Sequence, residues 1–208
     1  MDGVFMRKAM KRIRFCIILA ACVWCAGLLS DKAQLGEEMI RLHVVGASDS
    51  FEDQQIKLRV KDEVVSWLRQ EMANVTDMDQ AKAYLQENLP RIQAVANQVL
   101  SQVSSSDTAT VTLAKEAFPV REYDTFTLPS GVYEALRITI GEGEGRNWWC
   151  VVFPTLCIPA TSDGFEQVAV GAGFSDGLTG ALEGKEGYRL RFYLLDLLGS
   201  VENIFFRG

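Results

Sequence analysis

The apolar residues of this chain change period at Thr108, and that change limits the folds open to it. Before it, apolar side chains recur at helical steps; after it, they alternate. Ile56, Val60, Val64, Leu68 and Met72 stand four residues apart with Trp67 beside them, predicting a helix over about Phe51–Ala73 with one buried stripe. Ser50 is placed as its N-cap, with Asp53 as the reciprocal partner three residues on. A second helical stretch starts near Thr76 or Asp77 and carries Ala81, Tyr84 and Leu85 as far as Pro90, where a kink or restart is expected. Ile92, Val95, Ala96, Val99, Leu100 and Val103 make a third. Ahead of all three, Ile40, Leu42 and Val44 alternate with Arg41 and His43, the pattern of a half-buried strand. Gly46–Ser50 then turns the chain.

After Thr108 the segments Thr110–Leu113, Tyr123–Leu128, Tyr133–Ile140 and Trp148–Phe153 read as strands, separated by turns at Pro119, at Pro129–Gly131 and at Gly141–Gly145. Strands joined by short turns imply an antiparallel sheet. Helices segregated ahead of them make the fold class α+β: an N-terminal strand, two or three helices, an antiparallel sheet and a C-terminal apolar helix. The Gly-rich stretch near 161–187 reads as a loop, and Tyr188–Phe192 as a returning strand. Leu194, Leu195, Leu197, Leu198, Val201, Ile204 and Phe205 form the final helix. Its stripe is that of a helix packed on the sheet, the alternative being a docking or membrane-surface face.

The N-terminus sets the compartment. Arg7, Lys8, Lys11, Arg12 and Arg14 precede the apolar run Phe15–Leu29, the layout of a secretory signal. The run is short for a membrane span of about 20 residues, so an uncleaved anchor is the second reading. Leu19–Cys22 has the outline of a lipoprotein box, but the apolar run continues past Cys22. Residues 1–30 are therefore a signal peptide or anchor, and 31–208 a single extracytoplasmic domain that begins with a polar linker. The leader holds five of the 21 basic residues and one of the 27 acidic ones, which leaves 16 and 26 and a net charge of −10. Such a domain repels phosphate backbones, and nucleic acid is excluded as a partner.

Chemistry concentrates in Gly141–Cys157, GEGEGRNWWCVVFPTLC. Its glycines lack the spacing of a phosphate-binding loop and their two glutamates would repel phosphate, so a hairpin turn with positive φ accounts for them. Cys150 and Cys157 are the two cysteines outside the leader, and an exported pair favours a disulfide. Closing that loop stabilises by about 2.5 kcal/mol in the loop-entropy treatment. The alternative is an exported thiol enzyme in which Cys150 is activated by His43, the chain's one histidine. With no second histidine a zinc site is not expected, and no cofactor motif or hydrolase signature is present. No catalytic residue is assigned, and specific action falls to a binding surface.

Two stretches resemble the stage II sporulation protein R family of endospore-forming bacteria. One comprises His43–Val45, Ser48–Ser50, Glu52–Gln54 and Lys57-Leu58. The other includes Phe118-Pro119, Leu128-Pro129, Ala135–Arg137, Asn147–Cys150, Phe153-Pro154 and Leu156-Cys157. Gly46-Ala47 and Phe51 depart from the family's usual Ala-Asn and proline. The resemblance implies a signalling protein, not an enzyme, made in the forespore and exported to the space facing the mother cell. There it would trigger a membrane-embedded aspartic protease that cleaves the precursor of the mother-cell sigma factor E. Motif position and unexplained polarity make His43, Ser48, Asp49, Asp53, Asn147 and Trp148 the expected partner-binding residues. Contact with the membrane would run through the leader if it is retained.

Overall fold

The computed structural model describes residues 2–123, 125–153 and 174–207, without the side chains of 2–9 and 207. Five helices and six strands occur among them. Helix α1 (Asp2–Glu37) leads into strand β1 (Ile40–Val45), followed by α2 (Phe51–Glu71) and α3 (Met78–Gln102). Then come β2 (Ala109–Phe118), the short strands β3 (Arg121–Glu122) and β4 (Thr127–Leu128), β5 (Gly131–Ile140) and β6 (Asn147–Phe153). Helices α4 (Asp176–Leu182) and α5 (Arg189–Arg207) complete the chain. The α+β class expected from the change of period is therefore the observed one.

The main sheet has the order β2-β5-β1-β6. It is mixed and not purely antiparallel, because β1 lies parallel to β5 and antiparallel to β6. Hydrogen bonding on both flanks puts β1 in the interior, and all six of its residues are buried, where alternation predicted a half-buried strand. The sheet has two covered faces. Ile40, Leu42 and Val44 point to α2 and α3, which add Val60, Val64, Leu68, Leu85, Ile92 and Leu100 to that core. The other face is covered over part of its length by the end of α1 with α4 and α5, around Leu35, Phe118, Leu128, Tyr133, Leu178 and Leu195.

Local rules explain most element ends. The Ser50 hydroxyl accepts from the Asp53 amide at 3.1 Å and starts α2. Asp77 does the same for α3 through the Gln80 amide at 2.9 Å. Pro90 does not divide the helix in two; it lies on the exposed side of α3, where water can serve the carbonyl its missing N–H leaves free. Gly143, with φ +69°, supports the β5–β6 turn.

Several boundaries differ from expectation. The presumed linker Ser30–Glu38 is helical through Glu37, and its Leu35 is fully buried, so α1 runs without a break into the domain. Tyr123–Leu128 is not a sheet strand; β3 and β4 form a separate two-stranded ribbon. Of the expected loop at 161–187, residues 161–173 lie outside the described residues, and Asp176–Leu182 is helix. Of the expected strand Tyr188–Phe192, residues 189–192 form the start of helix α5. The final helix packs on the sheet with part of its surface: Asp196 and Ser200 hold Ser130, and Asn203 donates to the Phe118 carbonyl at 2.8 Å. Gly199 permits that approach, since a Cβ there would fall 1.6 Å from the Ser130 carbonyl oxygen. Gly199→Ala is predicted to lower the unfolding free energy by at least about 2 kcal/mol, read as a lower denaturant midpoint.

Candidate functional site

Strand alternation puts Arg41 and His43 on the sheet face away from α2 and α3, beside Glu116 and Phe118 of β2, Arg137 of β5 and Trp149 of β6. His43 is the centre of this set. Its Nδ1 lies 2.7 Å from Glu116 Oε2 and its Nε2 2.9 Å from Asn147 Oδ1. Trp149 stacks on the imidazole at 5.6 Å between centroids, and the Phe118 ring meets it edge-on. Arg137 approaches the other oxygen of Glu116 at 3.5 Å. Burial works against ionisation of Glu116, but the hydrogen bond and charge of His43, with those of Arg137, outweigh it and hold the carboxyl below the usual range.

The covering layer stops short of this set. His43, Glu116, Arg137, Asn147 and Trp149 line a cavity of about 500 Å³, which Phe206 of α5 closes on one side. Beyond it Thr110, Thr112 and Ala114 are exposed. The edge of β2 is also open. Asn97 bonds both the amide and the carbonyl of Ala109, at 2.7 and 3.5 Å, which turns those groups away from β5. By alternation Val111, Leu113, Lys115 and Ala117 present theirs outward as well.

Deeper on the same face Arg41 is fully buried. Its guanidinium lies 4.1 Å from the Phe118 ring centroid and 5.0 Å from that of Tyr133, and it donates to the Tyr123 hydroxyl at 3.2 Å. Its Nε and Nη1 have no hydrogen-bond partner among the described residues. Arg121 covers the outer side of Trp149 at 3.7 Å. Burial, then the charge of Arg41, lowers the Arg121 pKa.

The six residues expected to bind a partner therefore divide. His43 and Asn147 belong to the cavity. Trp148 points to the opposite face, where Lys61 stands 4.8 Å from its ring. Ser48, Asp49 and Asp53 serve an internal clasp. The Ser48 hydroxyl donates to Asp53, the Arg146 amide to Asp49 at 2.7 Å, and the Gly145 amide to the Gly46 carbonyl at 2.9 Å. Lys57 fastens it by donating to Gln54 Oε1 and the Arg146 carbonyl. A Cβ at Gly145 would lie 2.3 Å from the Ser48 carbonyl oxygen, so the clasp requires glycine there. These polar residues close two turns on each other.

Cys150 and His43 do not form a dyad. Cys150 is in register with Leu42 and faces the α2–α3 core, whereas His43 is in register with Trp149 on the other face. The Cys150–Cys157 pairing lies outside the described residues, because Cys157 does. Among the described residues no group of three His, Cys, Asp or Glu side chains is placed to hold a metal. Glu116, Arg137, Trp149 and Arg121 were not expected at the site. Extending the β2 alternation past Leu113 would have found Glu116 and Phe118.

The family model described as stage II sporulation protein R matches residues 36–163. That segment contains β1, the clasp and every cavity residue except Phe206. The chain belongs to the stage II sporulation protein R family. A curated relative in this family, stage II sporulation protein R of Bacillus subtilis (strain 168), is 35% identical over 132 residues, covering 62% of this chain. The chain spans 57% of that relative's length. No solved structure matches. The family match stops before α4 and α5, so the helix that closes the cavity lies beyond it. Membership of the family supports a role in sporulation.

Glu116→Gln tests the network. A depressed carboxyl pKa contributes stability that is present above the ordinary glutamate value of about 4.3 and is lost as pH falls through the lower folded value. The variant is predicted to be less stable by about 1 kcal/mol at pH 6, the gap narrowing toward pH 3 in denaturant titrations at each pH.

Proposed function

We propose that this chain is an exported signalling protein of sporulation that activates a membrane-embedded aspartic protease, leading to cleavage of the precursor of the mother-cell sigma factor E. It acts from the space between forespore and mother-cell membranes, as a ligand and not as a protease. The observation that carries this reading is family membership over a segment that holds the whole His43 network. Met10–Glu37 includes a stretch long and apolar enough for a membrane span near the N-terminus, which suits a signal sequence or an anchor.

In this reading the receptor's extracytoplasmic face docks on the open part of the sheet. Asn147, Arg137 and the β2 edge offer hydrogen-bonding groups there, and Trp149, held between His43 and Arg121, forms part of the cavity floor. Glu116 and Asn147 fix the imidazole, which limits the side-chain entropy lost on docking. To activate, the ligand must bind the active arrangement of the protease more tightly than the resting one. A Cys150–Cys157 disulfide would fix the end of β6 beside this floor.

Co-expression of the full chain with the protease and the sigma precursor tests the reading. Precursor cleavage is expected to rise over a control lacking the chain, and no rise contradicts it. Lys115→Glu and Thr112→Glu change exposed groups at the cavity and beside it. Each is expected to reduce cleavage while leaving the melting temperature within a few degrees of the parent, since substitutions at exposed sites cost about 0.5 kcal/mol or less.

A further inference from the structure

Helix α5 packs on the body with one face and leaves the other bare. Leu195 and Gly199 are buried, and Asp196, Ser200 and Asn203 are bonded to the sheet side. The opposite face carries Leu190, Tyr193, Leu197, Val201, Ile204 and Phe205, each between 44% and 81% exposed. These positions recur at three- and four-residue steps, so the side chains form one continuous stripe. No acidic residue interrupts it. The two acids of the helix lie off the stripe and are engaged, Asp196 with Ser130 and the half-exposed Glu202 with Lys32. Arginines at 189, 191 and 207 stand at its ends. A stripe this apolar in water marks a surface that something covers.

The attachment of α5 indicates what covers it. Asp31, immediately after the apolar run of α1, pairs with Arg191, and the adjacent Lys32 pairs with Glu202. Positions 191 and 202 are about 16 Å apart along α5, whereas 31 and 32 are about 1.5 Å apart along α1. The second helix therefore crosses the first instead of running beside it. A helix held across the end of a membrane-length segment lies level with the membrane surface when that segment is inserted. An apolar outer face, acids paired within the chain and arginine ends are the chemistry of an interfacial helix on an anionic bilayer.

We propose that α5 is an in-plane membrane-binding helix whose Leu190–Phe205 stripe rests on the phospholipid surface. It would hold the cavity at a fixed height above the bilayer, and would supply a peripheral contact of its own if the leader were removed. This surface is distinct from the receptor patch and does not depend on the proposed signalling role.

The test uses the full chain in vesicles of phosphatidylethanolamine and phosphatidylglycerol, with no receptor present. The photoreactive residue p-benzoylphenylalanine replaces Leu197, Ile204 or, as a control on the exposed side of α3, Glu87. All three replaced positions are exposed, so the fold is not challenged. After irradiation, intact mass spectrometry is expected to show a shift of one phospholipid mass at 197 and 204 and none at 87. A covalent dimer at 197 or 204, no lipid adduct at either, or equal adducts at all three positions would overturn the proposal.

Discussion

Arg41 and His43 sit on a strand that is hydrogen-bonded on both flanks, so neither can reach water by a shift of the backbone. Burying unsatisfied polar groups costs kilocalories each, and burying an unpaired charge costs more. The fold answers at each position. Phe118 and Tyr133 give the Arg41 guanidinium two ring faces, and Tyr123 gives it one acceptor. Glu116 and Asn147 meet the two nitrogens of His43, and Trp149 covers its ring. β2, β5 and β6 each have to bring a partner to one place, so the register of the whole sheet is tied to two basic side chains on β1. The cavity is the unfilled outer margin of that arrangement.

The clasp between Ser48–Asp53 and the Gly141–Asn147 turn serves the same end from outside the sheet. It fixes where β1 leaves the core and where β6 enters it, and so sets Asn147 within reach of His43. Gly145 and Lys57 hold it by close approach and by hydrogen bonds to backbone. The polar residues Ser48, Asp49 and Asp53, expected from the sequence to bind a partner, also make hydrogen bonds within the chain. In the proposed reading, recognition falls to Asn147, Arg137 and the open edge of β2.

Much of this was legible before the structure, and what was not has physical causes. Helix α2, its Ser50 cap and the change of class at Thr108 follow from local periodicity and capping, which act over a few residues. The parallel pairing of β1 with β5 does not, because it joins segments some ninety positions apart and leaves no local mark. Arg41 reads as solvent-facing until Phe118 and Tyr133 are seen beside it. Tyr188, Leu190 and Phe192 alternate like a strand because α5 is apolar on both its packed and its bare face, and five residues are too few to separate the two periods. Helix α1 continues past its apolar run because Asp31, Lys32 and Leu35 each meet a partner in the domain, which polarity alone could not announce.

The central claim is that a partner engages the open sheet face and leaves the clasp alone. Hydrogen exchange of the full chain, with and without the membrane protease, addresses it directly. The account predicts slower exchange at the outward amides of Leu113, Lys115 and Ala117 and at Asn147–Trp149, with exchange at Ser48–Asp53 unchanged. Protection confined to Ser48–Asp53, or none on either segment, would contradict it.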